Sequence, residues 1–459
     1  MKKLFGTDGI RAVAGQPPLD NRTVFAIGLA LAQTLKQAGP APRVLLGMDT
    51  RESSEDIAAM LTAGLVQGGA LVENAGVITT PAVAHLAHTH HFAAGVVISA
   101  SHNPWQDNGI KLFGSDGFKL PDATELAIEE EIFRQLDLNT SPILGARAPQ
   151  VNEADRAEYT RFLLAAVPGL SLDNQTVVID CANGAASSIA PQLFADLGGK
   201  VLVTHASPDG RNINQGCGAL HAEVVAAEVV RHKASLGITF DGDADRVLFA
   251  DEHGNVVNGD AVLLLAARDL HTRGELANAT VVATTMSNMG LEAALGRSGI
   301  KMLRAPVGDK YVLEQMLATG ATLGGEQSGH IIFSGRSTTG DGLLTALLVL
   351  DILHRAGKTL AELTSDLKTF PQVIVNVKVR EKRPLDSIPA VAASIADAER
   401  ALNGTGRVVI RYSGTESLAR VMIEAEDHGR MRHHADAIAD AIRNELGIEE
   451  HVARATVSL

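Results

Sequence analysis

Short β-branched runs recur along the chain and run out into Gly, Asp, Ser or Asn: RVLLGMD (43–49), GVVISAS (95–101), TVVIDCA (176–182), GITFDGD (237–243) and TVVATTM (280–286). Between them lie Ala/Leu-rich segments with helical spacing, such as TVFAIGLALAQTLKQAG (23–39) and GLEAALGRSG (290–299). Strand and helix signals in alternation predict α/β domains with mostly parallel sheets. Such sheets collect ligands at the carboxyl ends of their strands. The polar residues that end these runs are therefore placed for chemistry.

With 459 residues the chain has room for about three or four domains. At 46% apolar and 20% charged it can bury several cores. Aromatics make up only 3%, so those cores should be aliphatic. The polar, turn-rich NTSPILGARAPQVNEADR marks a break near residue 150. DEHGNVVNGD (251–260) reads as a hairpin leading into the helix AVLLLAARDL, and LKTFPQVIVNVKVREKRP marks a change near 370. The expected domains are 1–150, 151–255, 256–370 and 371–459. The last, with alternating VIVNVKV, two further strand-like runs and helices, reads as a smaller α+β unit.

The formal charge of −13 argues against a nucleic-acid surface, which needs clustered Lys and Arg. Cys181 and Cys217 form no metal or redox motif. No run approaches membrane-helix length, and Asp8 and Arg11 interrupt any signal-peptide core in MKKLFGTDGIRAVAG. A soluble cytoplasmic protein with no membrane partner is expected.

Four stretches carry chemistry. In GVVISASHNPWQDNGIKLFG (95–114) an apolar run delivers Ser99 and Ser101 to a break at Asn103-Pro104, with Lys111 beyond it. This is not the G-x-S-x-G elbow of hydrolases. In GITFDGDADRVLFAD (237–251) Asp241, Asp243 and Asp245 alternate and can converge on one cation; hard oxygen ligands suggest Mg²⁺. The spacing also fits much of a calcium loop, as far as Glu252 at the twelfth position. Its sixth position is Arg246 rather than Gly, however, and the run before it looks like a strand. An aspartyl-phosphate hydrolase with Asp241 as nucleophile is the other alternative.

In LGGEQSGHIIF (323–333) Glu326, Ser328 and His330 suit sugar hydroxyls or an amine, although a polar turn between strands reads the same way. In RYSGTESLAR (411–420) Ser413, Gly414 and Thr415, flanked by Arg411 and Arg420, suit a phosphate. Ser413-x-x-Glu416 is also a capping box, and a capped helix start is itself an anion site. The histidines of HLAHTHH (His85, His88, His90, His91) resemble a metal cluster, but no Cys or carboxylate pattern completes it. A serine that carries phosphoryl needs Mg²⁺ and an acid/base group. Sequence neighbours do not readily face each other, so Lys111 and His330 are preferred over His102 for that task.

Taken together, FGTDGIR, SASHNP, DGDADR, GGEQSGH and RYSGTESLAR, in this order over essentially the whole chain, resemble the α-D-phosphohexomutase family. GGEQSGH, FGTDGIRAVAG and NINQGCGALH are most similar to its glucosamine-phosphate branch; the phosphomannomutase/phosphoglucomutase branch usually has Met at the Gln327 position. The resemblance implies three related α/β domains with mixed, mostly parallel sheets and a C-terminal α+β domain around a central cleft. It implies an isomerase that interconverts glucosamine 6-phosphate and glucosamine 1-phosphate through a phosphoserine and a 1,6-bisphosphate, feeding UDP-N-acetylglucosamine and cell-wall precursors. By the same resemblance Ser101 is the phosphoserine and, with Asp241, Asp243 and Asp245, a Mg²⁺ ligand. Arg11, Lys111 and His330 support proton transfer and charge. His102 and Arg246 contact phosphate, Glu326 and Ser328 the sugar, and Ser413, Gly414, Thr415 and Arg420 the distal phosphate. Ser417 stands where the family usually has Pro, so this loop is expected to be looser. The partner is then a small sugar phosphate, with a homodimer left open and a plain-hexose mutase the nearest rival.

Overall fold

The computed structural model describes residues 3–36, 39–140, 148–402, 405–412 and 417–448. The chain divides into two compact units, residues 1–287 with 295–366, and residues 288–294 with 367–459.

The larger unit holds three sheets built on one plan. In the first, Arg43–Met48 lies between Leu71–Val77 and Ala94–Ile98, all parallel, and Asp107–Gly114 returns antiparallel beside Ala94–Ile98. In the second, Thr176–Asp180 lies between Lys200–Thr204 and Leu236–Phe240, and Val247–Ala250 returns antiparallel. In the third, Thr280–Thr284 lies between Lys301–Ala305 and Leu323–Gly325, and Ile331–Phe333 returns antiparallel. Ile10–Val13 and Val256–Val257 add an antiparallel edge to the first and second sheets. The second of these completes the hairpin expected at 251–260.

The strands Ala94–Ile98, Leu236–Phe240 and Thr280–Thr284 are buried at every residue. Parallel strands covered by helices on both faces read as continuous apolar runs for this reason. In each sheet the last parallel strand must reverse into its antiparallel neighbour. That reversal falls at 99–106, 241–246 and 326–330, so one topological feature, used three times, creates three loops at the same end of a strand.

The smaller unit is a three-stranded antiparallel sheet, Gln372–Lys378, Leu418–Ala425 and Gly406–Tyr412, packed with the helices Pro389–Leu402 and His428–Leu446. The first strand alternates, with Val373 and Val377 buried and Gln372, Ile374 and Asn376 turned outward, as one covered face requires. The fold is the expected α/β class with mixed sheets and a C-terminal α+β element.

One buried pair in the larger unit is pH-sensitive. Asp341 caps the helix Gly342–Ala356 by accepting the Leu344 N–H, and its other oxygen accepts the Tyr159 hydroxyl at 2.7 Å. Burial pushes its carboxyl up to about 6 from 3.8, although both hydrogen bonds favour the anion. The folded state thus prefers the protonated acid, a stabilisation complete below the ordinary carboxylate value and lost as pH rises through about 6. Asp341→Asn escapes that loss. Its stability relative to wild type, measured by urea unfolding, is expected to rise by up to about 3 kcal/mol between about pH 4 and pH 7. Parallel pH profiles would contradict the assignment.

Candidate active site

The first two reversals meet. Ser101 follows the strand Ala94–Ile98 and takes a left-handed backbone, φ +53°, unusual outside glycine. Its hydroxyl donates to Asp241 Oδ2 at 2.5 Å. Asp241, Asp243 and Asp245 follow Leu236–Phe240 and are buried, each offering an oxygen within 4.8 Å of the others.

Three carboxylates this close cannot all ionise unaided. Burial, then Asp245 and Asp243, hold the Asp241 carboxyl well above its usual range. Burial acts the same way on Asp245, but Lys111 and His330 outweigh it and hold that carboxyl low. The Lys111 ammonium lies 2.8 Å from Asp243, 3.2 Å from Asp245 and 3.0 Å from Asp8. Burial works against its charge, yet the three carboxylates raise its pKa well above the ordinary lysine value. Even so, Asp243 Oδ1 and Asp245 Oδ1 are buried without a hydrogen-bond partner. Orphaned buried carboxylate oxygens beside a serine hydroxyl are the donor set a hard divalent cation takes. The residues present fit Mg²⁺.

The third reversal supplies a polar wall. His330 Nδ1 lies 3.7 Å from Asp245, while Nε2 accepts the Gly340 N–H at 3.0 Å. Burial opposes a charged imidazole and Asp245 and Asp309 favour it, with a net upward shift. The Gly340 bond nevertheless fixes Nε2 as an acceptor, so the proton belongs on Nδ1. Glu326 accepts the Gly308 N–H at 3.1 Å and lies 3.4 Å from the Ser328 hydroxyl. These residues, with Arg11, His102 and Arg246, line a cavity of about 540 Å³. Asp245 also lines it, whereas Ser101, Asp241, Asp243 and Lys111 are buried and do not.

His102 differs from expectation. Its Nδ1 is 3.2 Å from Ser101 Oγ, at a serine whose backbone is left-handed. Burial, then Arg246 and Arg11, press its pKa down to about 4, which leaves it neutral. Gln327 turns its amide to Asp260 Oδ2 at 3.2 Å.

In the smaller unit Arg411 and Arg420 stand directly opposite each other on paired strands, and the Ser417 carbonyl accepts the Val379 N–H. Ser413, Gly414 and Thr415 lie outside the described residues. In HLAHTHH, His85 stacks on Phe162 and His90 pairs with Glu158.

Several contributors carried no sequence signal of their own. Asp8 bridges Arg11, Lys111 and Lys119, and Lys119 continues to Asp309. Thr80 bonds Asp243 with both its hydroxyl and its N–H. Only Asp8 stood inside a motif, FGTDGIR. The strand–loop–strand setting of Asp241–Asp245 removes the calcium-loop reading, which needs flanking helices.

Models of the phosphoglucomutase/phosphomannomutase family match in order: alpha/beta/alpha domain I at residues 2–138, domain II at 157–254, domain III at 258–370 and the C-terminal domain at 374–441. A phosphoglucosamine mutase of Koribacter versatilis is 58% identical over 98% of both chains. A phosphoglucomutase/phosphomannomutase family protein of Burkholderia thailandensis superposes with a TM-score of 0.77 at 22% identity, over 98% of this chain and 100% of the other. An Aspergillus fumigatus N-acetylphosphoglucosamine mutase, solved with GlcNAc-6P and magnesium, gives 0.63 at 20% identity over 96% of each chain.

Lys111→Met tests the charge balance. Without divalent cation the variant leaves buried carboxylates unpaired and is expected to lose about 3–5 kcal/mol of stability. Millimolar Mg²⁺ should narrow that gap, because the cation takes over the countercharge. A gap unchanged by Mg²⁺ in urea titrations would contradict this reading.

Proposed function

The chain belongs to the phosphoglucomutase/phosphomannomutase family, and from that premise we propose how its residues interconvert glucosamine 6-phosphate and glucosamine 1-phosphate. The observation that carries the proposal is the 2.5 Å bond from Ser101 to Asp241, within an acidic triad whose third member, Asp245, lines the cavity. A serine there is within reach of both a cation site and a bound sugar.

In this reading Ser101 carries a phosphoryl group. The substrate's 1-hydroxyl attacks that phosphorus, the Oγ–P bond breaks, the proton the hydroxyl loses is made up on the leaving Ser101 Oγ, and a 1,6-bisphosphate and a free Ser101 hydroxyl result. The bisphosphate reorients, the Ser101 hydroxyl attacks its 6-phosphorus, the O6–P bond breaks, the serine's proton is made up on O6, and glucosamine 1-phosphate leaves. Ser101, Asp241, Asp243 and Asp245 would hold Mg²⁺, which offsets charge on the transferring group. Arg11 and Lys111, both charged, support the negative charge on the reacting phosphoryl, and His330, with its proton on Nδ1, supports proton transfer. His102 and Arg246 bind phosphate, and Glu326 and Ser328 orient the sugar. Arg411, Arg420, Ser413, Gly414 and Thr415 bind the distal phosphate, which is the 6-phosphate in one half-reaction and the 1-phosphate in the other.

The product feeds UDP-N-acetylglucosamine and cell-wall precursors. Among the described residues no helix is long and apolar enough to cross a membrane, and Cys181 and Cys217 are unpaired thiols. Both support a cytoplasmic setting.

Phosphorus NMR of purified enzyme with Mg²⁺, glucosamine 6-phosphate and a trace of hexose 1,6-bisphosphate tests the proposal. A 1-phosphate signal should grow with wild type, and Ser101→Ala should lose at least about 10³-fold in rate while still binding substrate. Near-normal turnover by Ser101→Ala, or release of free phosphate, would overturn it.

A further inference from the structure

The motif NINQGCG finds no role in the account above, and neither does Arg51. Both converge on the back of the Ser101 loop. The Ser101 carbonyl accepts hydrogen bonds from Arg51 Nη2 and Asn214 Nδ2, each at 2.9 Å. The Asn103 carbonyl accepts from the same two nitrogens, at 2.9 and 3.1 Å. The two side chains therefore close on the same pair of carbonyls, and two acceptors fix the orientation of the Asn214 amide.

Arg51 is fully buried and uses its remaining donors on the Pro104 and Asp107 carbonyls and on Asp49. Asp49 accepts the Ser99 hydroxyl at 2.7 Å, and that hydroxyl accepts the Ser101 N–H at 2.9 Å. Ser101 is thus held at both its N–H and its carbonyl by one connected network. A left-handed serine costs energy and persists only where its surroundings enforce it.

Asn214 comes from a loop of the second sheet's region and is itself anchored through its N–H to the Ala182 carbonyl. The metal loop abuts the same point. A Cβ at Gly242, between Asp241 and Asp243, would lie 2.5 Å from the Ser101 carbonyl oxygen and 3.0 Å from Asn214 Nδ2. Glycine is what lets the triad close on the clamped serine. Neither Arg51 nor Asn214 is among the residues that line the cavity.

We propose that Asn214, with Arg51, is a positioning residue for phosphoryl transfer: it holds the Ser101 carbonyl so that the hydroxyl faces Asp241. This rests on Ser101 as the phosphoryl carrier. Asn214→Asp keeps the shape but sets oxygen against two carbonyl oxygens, whereas Asn214→Ala leaves both carbonyls on Arg51. A positioning role therefore ranks wild type above Ala and Ala above Asp in kcat, with KM for the sugar phosphate unchanged within roughly threefold. A packing role reverses the order of the two variants.

The experiment measures kcat, KM and folded fraction for both variants beside wild type and Ser101→Ala. It also records the phosphorus resonance of phosphorylated Ser101. The expected loss is on the order of 10²-fold in kcat for Asn214→Asp, with a displaced phosphoserine resonance and a folded protein. The proposal is overturned if both variants stay within roughly twofold of wild type, if Ala falls below Asp, or if the loss tracks unfolding. An active Ser101→Ala would instead remove the reading on which it rests.

Discussion

Three carboxylates buried within 4.8 Å of one another are the constraint on which the site depends. In a low-dielectric interior such a cluster repels itself strongly. Each close neighbour answers that repulsion. Lys111 supplies a full countercharge, Ser101 and Thr80 donate hydroxyls, His330 lends an imidazole, and the Arg246 N–H bonds Asp241 Oδ1. The compensation is incomplete, because two oxygens keep no hydrogen-bond partner. Removing one member of such a set is costly, whereas adding a cation completes it. That asymmetry suits the cluster to a cation.

The architecture explains why these groups meet. Each of the three sheets ends its parallel run with one reversed strand, and the reversal is a loop at the carboxyl end of the last parallel strand. The first loop carries the hydroxyl, the second the acids, and the third the carboxylate–imidazole wall. Repetition of one strand order gives three nearly equivalent loop positions, and sequence differences at those positions divide the labour.

Much of this was legible in the residues because it is local. Apolar β-branched runs followed by polar breaks announce buried parallel strands, and DGDADR places three acids in one turn whatever the rest of the chain does. What was not legible is long-range. Lys119 meets Asp309, and Asn214 meets Ser101, across separations of 190 and 113 residues. Nothing in GFKLP or VGDKYV marks those partners. The contact between His102 and Ser101 was illegible for a different reason. Neighbouring side chains diverge on ordinary backbone, but at Ser101 the backbone is left-handed and the two side chains are in contact. Strain of that kind is set by the surrounding clamp and cannot be read from the pair alone. Residues 413–415 lie outside the described residues.

The most direct measurement of the central claim is a rapid-quench chase of enzyme carrying isotopically labelled phosphate on Ser101. The labelled enzyme is mixed with unlabelled glucosamine 6-phosphate and Mg²⁺, and the Ser101 peptide and sugar phosphates are analysed by mass spectrometry. The account requires the label to leave Ser101 and appear in the 1,6-bisphosphate or 1-phosphate product at least as fast as steady-state turnover. Label that stays on Ser101 while product accumulates would contradict it.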